Sequence, residues 1–181
     1  MENNKSEKMI SARSVALVGL MTASLTCGKL ALSFLPNIEV VTLFCALYGY
    51  VFGIYGVISA FIFVLIEPLI YGFGSWIITY FIYWPAVAAL FMLLKRRGVK
   101  NRIALALTAT LLTFLFGVLS SVIDAAFLLG INENYLKNLL IYYIRGSIFY
   151  IVHIVSNTII FLVAYPFLLQ KLELIRKSKN L

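Results

Sequence analysis

Five charged side chains stand in or beside apolar stretches of this sequence: Lys29, Glu39, Glu67, Asp124 and Arg145. A charge near hydrocarbon costs at least about 2–3 kcal/mol unless it pairs or faces water. Their shared depth, worked out below, points to one polar cavity. A stripe adds to it: Tyr142, Arg145, Phe149, His153 and Asn157 recur every three or four residues and share one face of a helix. Trp76, Tyr80, Tyr83 and Trp84 crowd the start of another segment and offer flat faces to a ring. Apolar walls with a few directional polar groups bind small molecules. The residues read as substrate-binding are Asn37, Glu39, Trp76, Tyr80, Trp84, Asp124, Tyr142, Arg145 and Phe149. Asp124 and Arg145 can serve as ligand contacts or as an ion pair between their two helices. The roles of Lys29, Glu67 and His153 stay open.

Catalytic chemistry is not indicated. His153 is the only histidine, and Cys27 and Cys45 both sit in apolar runs without metal-ligand spacing. Both cysteines read as reduced and structural. Gly28-Lys29 lacks the upstream glycine and following Ser or Thr of a phosphate loop. Gly74-Ser75 and Gly146-Ser147 lack the strand and helix of a nucleophile elbow. The expectation is a protein that is not an enzyme and that carries no cofactor or metal.

The stretch Ser33-Phe-Leu-Pro-Asn-Ile-Glu-Val-Val-Thr-Leu43 lies between two long apolar runs. Pro36 is expected to end the first helix. Asn37 is expected to cap the next one, with Glu39 in its first turn, where the helix dipole favours an anion. The turn then forms part of the mouth of a substrate pocket.

The elements that position these groups follow from composition. The chain is 62% hydrophobic and 12% charged, with a mean hydropathy of +0.99. Those values exclude an ordinary soluble domain. A crossing needs about 20 apolar residues, which leaves room in 181 residues for six crossings and no second domain. The expected fold is an all-α integral membrane protein, a single domain over residues 1–181. Its helices are placed at about Ile10–Phe34, Val40–Phe52, Tyr55–Tyr71, Trp76–Leu94, Ile103–Leu129 and Leu139–Leu169. The first apolar run reads as a crossing, not a cleaved signal. Glycines 49, 53 and 56 mark a tight turn between helices 2 and 3.

Charge orients the bundle. Every Lys and Arg except Lys29, Lys137 and Arg145 falls near the N-terminus, in the 95–102 loop or in the C-terminal tail. Six crossings put those clusters on one side, the cytoplasm. Both termini are then inside, with residues 1–9 and 171–181 as tails, and the protein is a multi-pass protein of the plasma membrane. The five charges all fall in the outer half of the bilayer.

Small residues on helix 1 complete the pattern. Ala12 and Ala16, then Gly19 and Ala23, are four apart and let another helix approach closely.

A chain of 181 residues with six helices, both ends inside and no ATPase motif resembles the substrate-binding S-component of an energy-coupling factor transporter. Leu35-Pro-Asn-Ile-Glu-Val-Val-Thr42 is similar to the first external loop and helix 2 start of cobalamin-type members. Gly72-Phe-Gly-Ser-Trp76 resembles their Gly-x-Gly-x-Trp segment. Gly53-Ile-Tyr-Gly56 stands where the family has a Gly-Pro turn. The resemblance implies capture of a vitamin or related micronutrient from outside. It also implies a transmembrane coupling subunit and two ATPase subunits as partners, in lipid, with no nucleic acid involved. External loops 34–39 and 71–76 would close the pocket, and Ala12, Ala16, Gly19 and Ala23 would dock on the coupling subunit. A secondary transporter using Asp124, Arg145 and His153 is the competing reading, although inverted repeats and broken helices are not visible.

Overall fold

The computed structural model describes residues 11–179. Six helices follow one another: α1 (Ala12–Ala31), α2 (Val41–Phe52), α3 (Ile54–Tyr71), α4 (Trp76–Arg96), α5 (Arg102–Leu129) and α6 (Tyr135–Lys179). The protein is all-α, and five of the helices are long and apolar enough to cross a membrane. The exception is α2. Its 12 residues rise only about 18 Å, against a hydrocarbon core of about 30 Å.

Helix α2 is the core of the bundle. Every residue from Val41 to Val51 is buried except Phe44, which is half-buried. It packs on α4, α3, α6 and α1. A helix that is apolar on all sides has to be enclosed in this way. Gly49 permits the closest approach, because a Cβ there would fall 2.0 Å from the Ala88 carbonyl oxygen on α4. Gly53 turns the chain from α2 into α3 with a single residue at φ 62°, a conformation that glycine adopts at no steric cost.

Local chemistry sets the helix ends. The Ser11 hydroxyl accepts the Ser14 N–H at the start of α1, and the Asn101 side chain accepts the N–H groups of Ile103 and Ala104 at the start of α5. Two boundaries depart from expectation. Helix α1 stops at Ala31, short of Phe34, where the N–H of Leu32 bonds back to Lys29 and the chain runs on through turns to Pro36. Helix α6 starts at Tyr135 and runs to Lys179, well beyond Leu139–Leu169. Residues 171–179 are therefore helical where a tail was expected, and the helix continues through Pro166. The expected tail over residues 1–9 and the start at Ile10 lie outside the described residues.

Basic residues from three parts of the described chain meet at one end. Arg13, Arg96 and Arg176 line a common cleft with the Gly53 turn. Lys95 pairs with Glu173 of α6 and lies over the ring of Tyr50 at 4.5 Å. The Tyr50 hydroxyl donates to the Val99 carbonyl at 2.8 Å, tying the foot of α2 to the 95–102 loop. At the opposite end lie the loops 32–40, 72–75 and 130–134.

Candidate ligand cavity

The chain between α1 and α2 is held down by one carboxylate. Asn37 adopts φ 59°, a left-handed geometry that asparagine tolerates. It turns the chain and does not cap the helix; Glu39 takes the capping role. Its Oε2 accepts the Thr42 N–H at 2.8 Å, and Oε1 accepts the Thr42 hydroxyl at 2.6 Å. Two donors from α6 reach the same Oε1: His153 Nε2 at 3.0 Å and Asn157 Nδ2 at 2.8 Å. A carboxylate only accepts, so the Nε2 nitrogen of His153 carries the proton. Three of the four bonds fall on Oε1 and one on Oε2. The Ser156 hydroxyl also donates to the Asn37 carbonyl at 3.3 Å.

Beneath this latch is a cavity of about 220 Å³. Lys29, Asn37, Glu39, Tyr80, Trp84, Phe116 and His153 are among the residues that line it. Leu32, Leu35, Ile38 and Val41 form part of its lining, and aromatic rings form the rest of its apolar wall. Trp84 and Phe116 stack with centroids 6.0 Å apart, and Tyr80 lies edge-on to Trp84 at 5.6 Å. The His153 ring stands perpendicular to Phe116 at 5.2 Å. Trp84 is 3% exposed, and its indole N–H finds no acceptor among the described residues.

Lys29 brings the charge. Its ammonium pairs with Glu67 of α3, whose side chain is 1% exposed, while the Lys29 side chain remains 23% exposed. The ammonium also lies over the rings of Tyr71, Tyr80 and Trp76, at 4.3, 4.9 and 5.7 Å from their centroids. The α1 helix thus presents a fixed cation at the cavity wall, with a buried counter-charge behind it.

The structure sorts the residues singled out by sequence. Asn37, Glu39, Tyr80 and Trp84 line the cavity, and Trp76 abuts it through Tyr80, at 5.0 Å between ring centroids. Asp124, Tyr142, Arg145 and Phe149 are not among the lining residues. Asp124 accepts the Ser75 hydroxyl at 2.5 Å and the Ser120 hydroxyl at 3.3 Å, which fastens the α3–α4 loop to α5. It forms no ion pair with Arg145, which is exposed, as is Phe149. The stripe on α6 is divided for a physical reason. At Asn157 and His153, α6 meets the start of α2; above them it packs on α5, and Arg145 and Phe149 face outward.

Sequence reasoning left Lys29 and His153 without a role and did not single out Phe116. A spacing of four with Asn157 was the signal that His153 belongs to a buried face. Among the described residues no group of His, Cys, Asp and Glu is arranged to hold a metal ion. No family model, curated protein or solved structure matches the chain.

Proposed function

We propose that this chain is the substrate-binding S-component of an energy-coupling factor importer, capturing a small vitamin-like solute from outside the cell. The observation that carries the reading is the latch. The loop between α1 and α2 is tied to α6 by a single carboxylate over a ring-lined cavity, at the end opposite the basic clusters. Positive charge marks the cytoplasmic side of membrane proteins, so the cavity opens outward and both termini lie inside. On this reading α2, with residues 38–40, completes the sixth crossing in the plasma membrane, enclosed by its neighbours instead of lipid.

The outer face of α1 supports a partner. Ala12, Ala16, Gly19 and Ala23 are all exposed, and a Cβ added at Gly19 would meet nothing within 4 Å. Gly19 and Ala23 border an apolar groove of about 570 Å³ between α1 and α3. In lipid such a surface packs against another helix through small residues, here the transmembrane coupling subunit of a module with two ATPase subunits. Asp124 and Arg145 form no relay with His153, which disfavours the secondary-transporter reading.

Co-purification from native membranes tests this. A tagged chain should bring down one membrane partner and two subunits that hydrolyse ATP, in a constant ratio. An unaccompanied chain that moves solute in proteoliposomes on an ion gradient would refute the proposal.

A further inference from the structure

We infer that the ligand is a single aromatic ring, or a compact fused pair, bearing a carboxylate or carbonyl edge that is received by Lys29. The inference rests on reading the cavity as the substrate site, and it concerns which solute fits.

Size comes first. The cavity measures about 220 Å³. A protein cavity of about 150 Å³ accepts benzene, whereas drug-sized ligands occupy about 300–1,000 Å³. One ring with a small substituent fits between these limits. A corrinoid, to which the loop similarity pointed, does not.

Shape comes next. The rings of Tyr80, Trp84 and Phe116 all line the cavity, with centroids within 6.3 Å of one another. Flat apolar surfaces of this kind pack best on a flat ligand.

Polarity decides the class. Two carboxylates stand near the cavity, and each is already engaged. Glu39 accepts from Thr42 twice, from His153 and from Asn157. The Glu67 side chain is 1% exposed, paired with Lys29 and not among the lining residues. Beside the Asn37 amide and the Ser33 and Tyr80 hydroxyls, the wall carries two groups that only donate. The Lys29 ammonium gives one proton to Glu67, lies over aromatic faces and stays part-exposed beside the cavity. The Trp84 N–H, on a ring that lines the cavity, has no partner among the described residues. A ligand acceptor would satisfy Lys29 more strongly than a ring face does, because a charged hydrogen bond outweighs a cation–π contact at a part-exposed site.

The experiment uses the purified full chain in detergent and follows quenching of tryptophan fluorescence on titration. The probes are benzoate, nicotinate and 4-aminobenzoate, with nicotinamide, 1-methylnicotinamide and cyanocobalamin for comparison. At least one ring acid should bind, and nicotinate should bind about tenfold or more tightly than cationic 1-methylnicotinamide, the scale of one charged hydrogen bond. Lys29→Gln alone would leave Glu67 buried without a counter-charge, so the decisive variant is Lys29→Gln with Glu67→Gln. In it the preference for acid over cation should fall to within about threefold, since the charged contact is gone. Preference for the cation, an unchanged preference in the double variant, binding of cyanocobalamin, or no binding of any ring acid would each overturn the inference. The outcomes stay separable from the transporter reading. Ring acids binding to a chain that purifies without ATPase subunits would sink the transporter proposal and leave the ligand class standing. A chain that assembles with ATPases yet binds only cyanocobalamin would do the reverse.

Discussion

Glu39→Gln should unfasten the loop over the cavity while leaving the bundle folded. The change is close to isosteric, so packing is kept and only hydrogen bonding is altered. The carboxylate receives four donors, three of them on Oε1. A glutamine has one carbonyl oxygen and an amino group that only donates, so at least one of these donors faces another donor. If the oxygen keeps His153 and Asn157, the Thr42 N–H loses its partner, and loss of a helix cap costs about 0.5–2 kcal/mol. The bonds that survive change from charged to neutral, at about 1 kcal/mol or more each. The total is about 2–4 kcal/mol, confined to the latch. Hydrogen exchange read by mass spectrometry should show protection over residues 38–44 falling about 30- to 1,000-fold, since each 1.4 kcal/mol is a factor of ten. Exchange in α3 and in the lower half of α6 should stay within about threefold of the parent, because those segments do not touch the carboxylate. Unchanged protection at Thr42, or a loss spread over all six helices, would refute the latch.

Three more outcomes follow from the packing. Gly49→Ala should lower thermal stability in detergent by about 1–3 kcal/mol or more, because the new Cβ meets the Ala88 carbonyl where α2 and α4 cross. Arg145→Met should change ring-acid affinity and melting by less than about 0.5 kcal/mol, the usual range for a surface site; a tenfold loss of affinity in titration would return Arg145 to the binding site. Gly19→Trp should leave the melting point and ring-acid binding unaltered, since nothing lies within 4 Å of it, yet abolish recovery of ATPase subunits in the pull-down; full recovery would move the docking surface elsewhere.

Much of the fold was legible because apolar runs of crossing length leave few choices. Helices α3, α4 and α5 lie within about two residues of their expected limits, as helix ends do. What sequence could not show was which helix is innermost. Helix α2 is apolar all round and looks like a crossing, and only its shortness hints that it is enclosed. Proline was an uncertain guide, since Pro68, Pro85 and Pro166 all sit inside helices, while α1 ends ahead of Pro36. The cavity was legible in part. Asn37, Glu39, Tyr80 and Trp84 announced themselves by type and depth. Depth does not fix the direction around a helix axis, however, so Asp124 and Arg145 share a level without meeting. The bond between Glu39 and His153 joins residues 114 apart in the chain, and no local pattern encodes a partner at that distance.

Sidedness of the cavity is the claim on which capture from outside depends. In a background with Cys27→Ser and Cys45→Ala, single cysteines at Ser33, on the cavity rim, and at Lys100, in the basic loop, can be probed in intact cells with a membrane-impermeant maleimide. Labelling is expected at position 33 from outside, and at position 100 only after the membrane is opened. Labelling at 100 in intact cells, with 33 protected until permeabilisation, would contradict it.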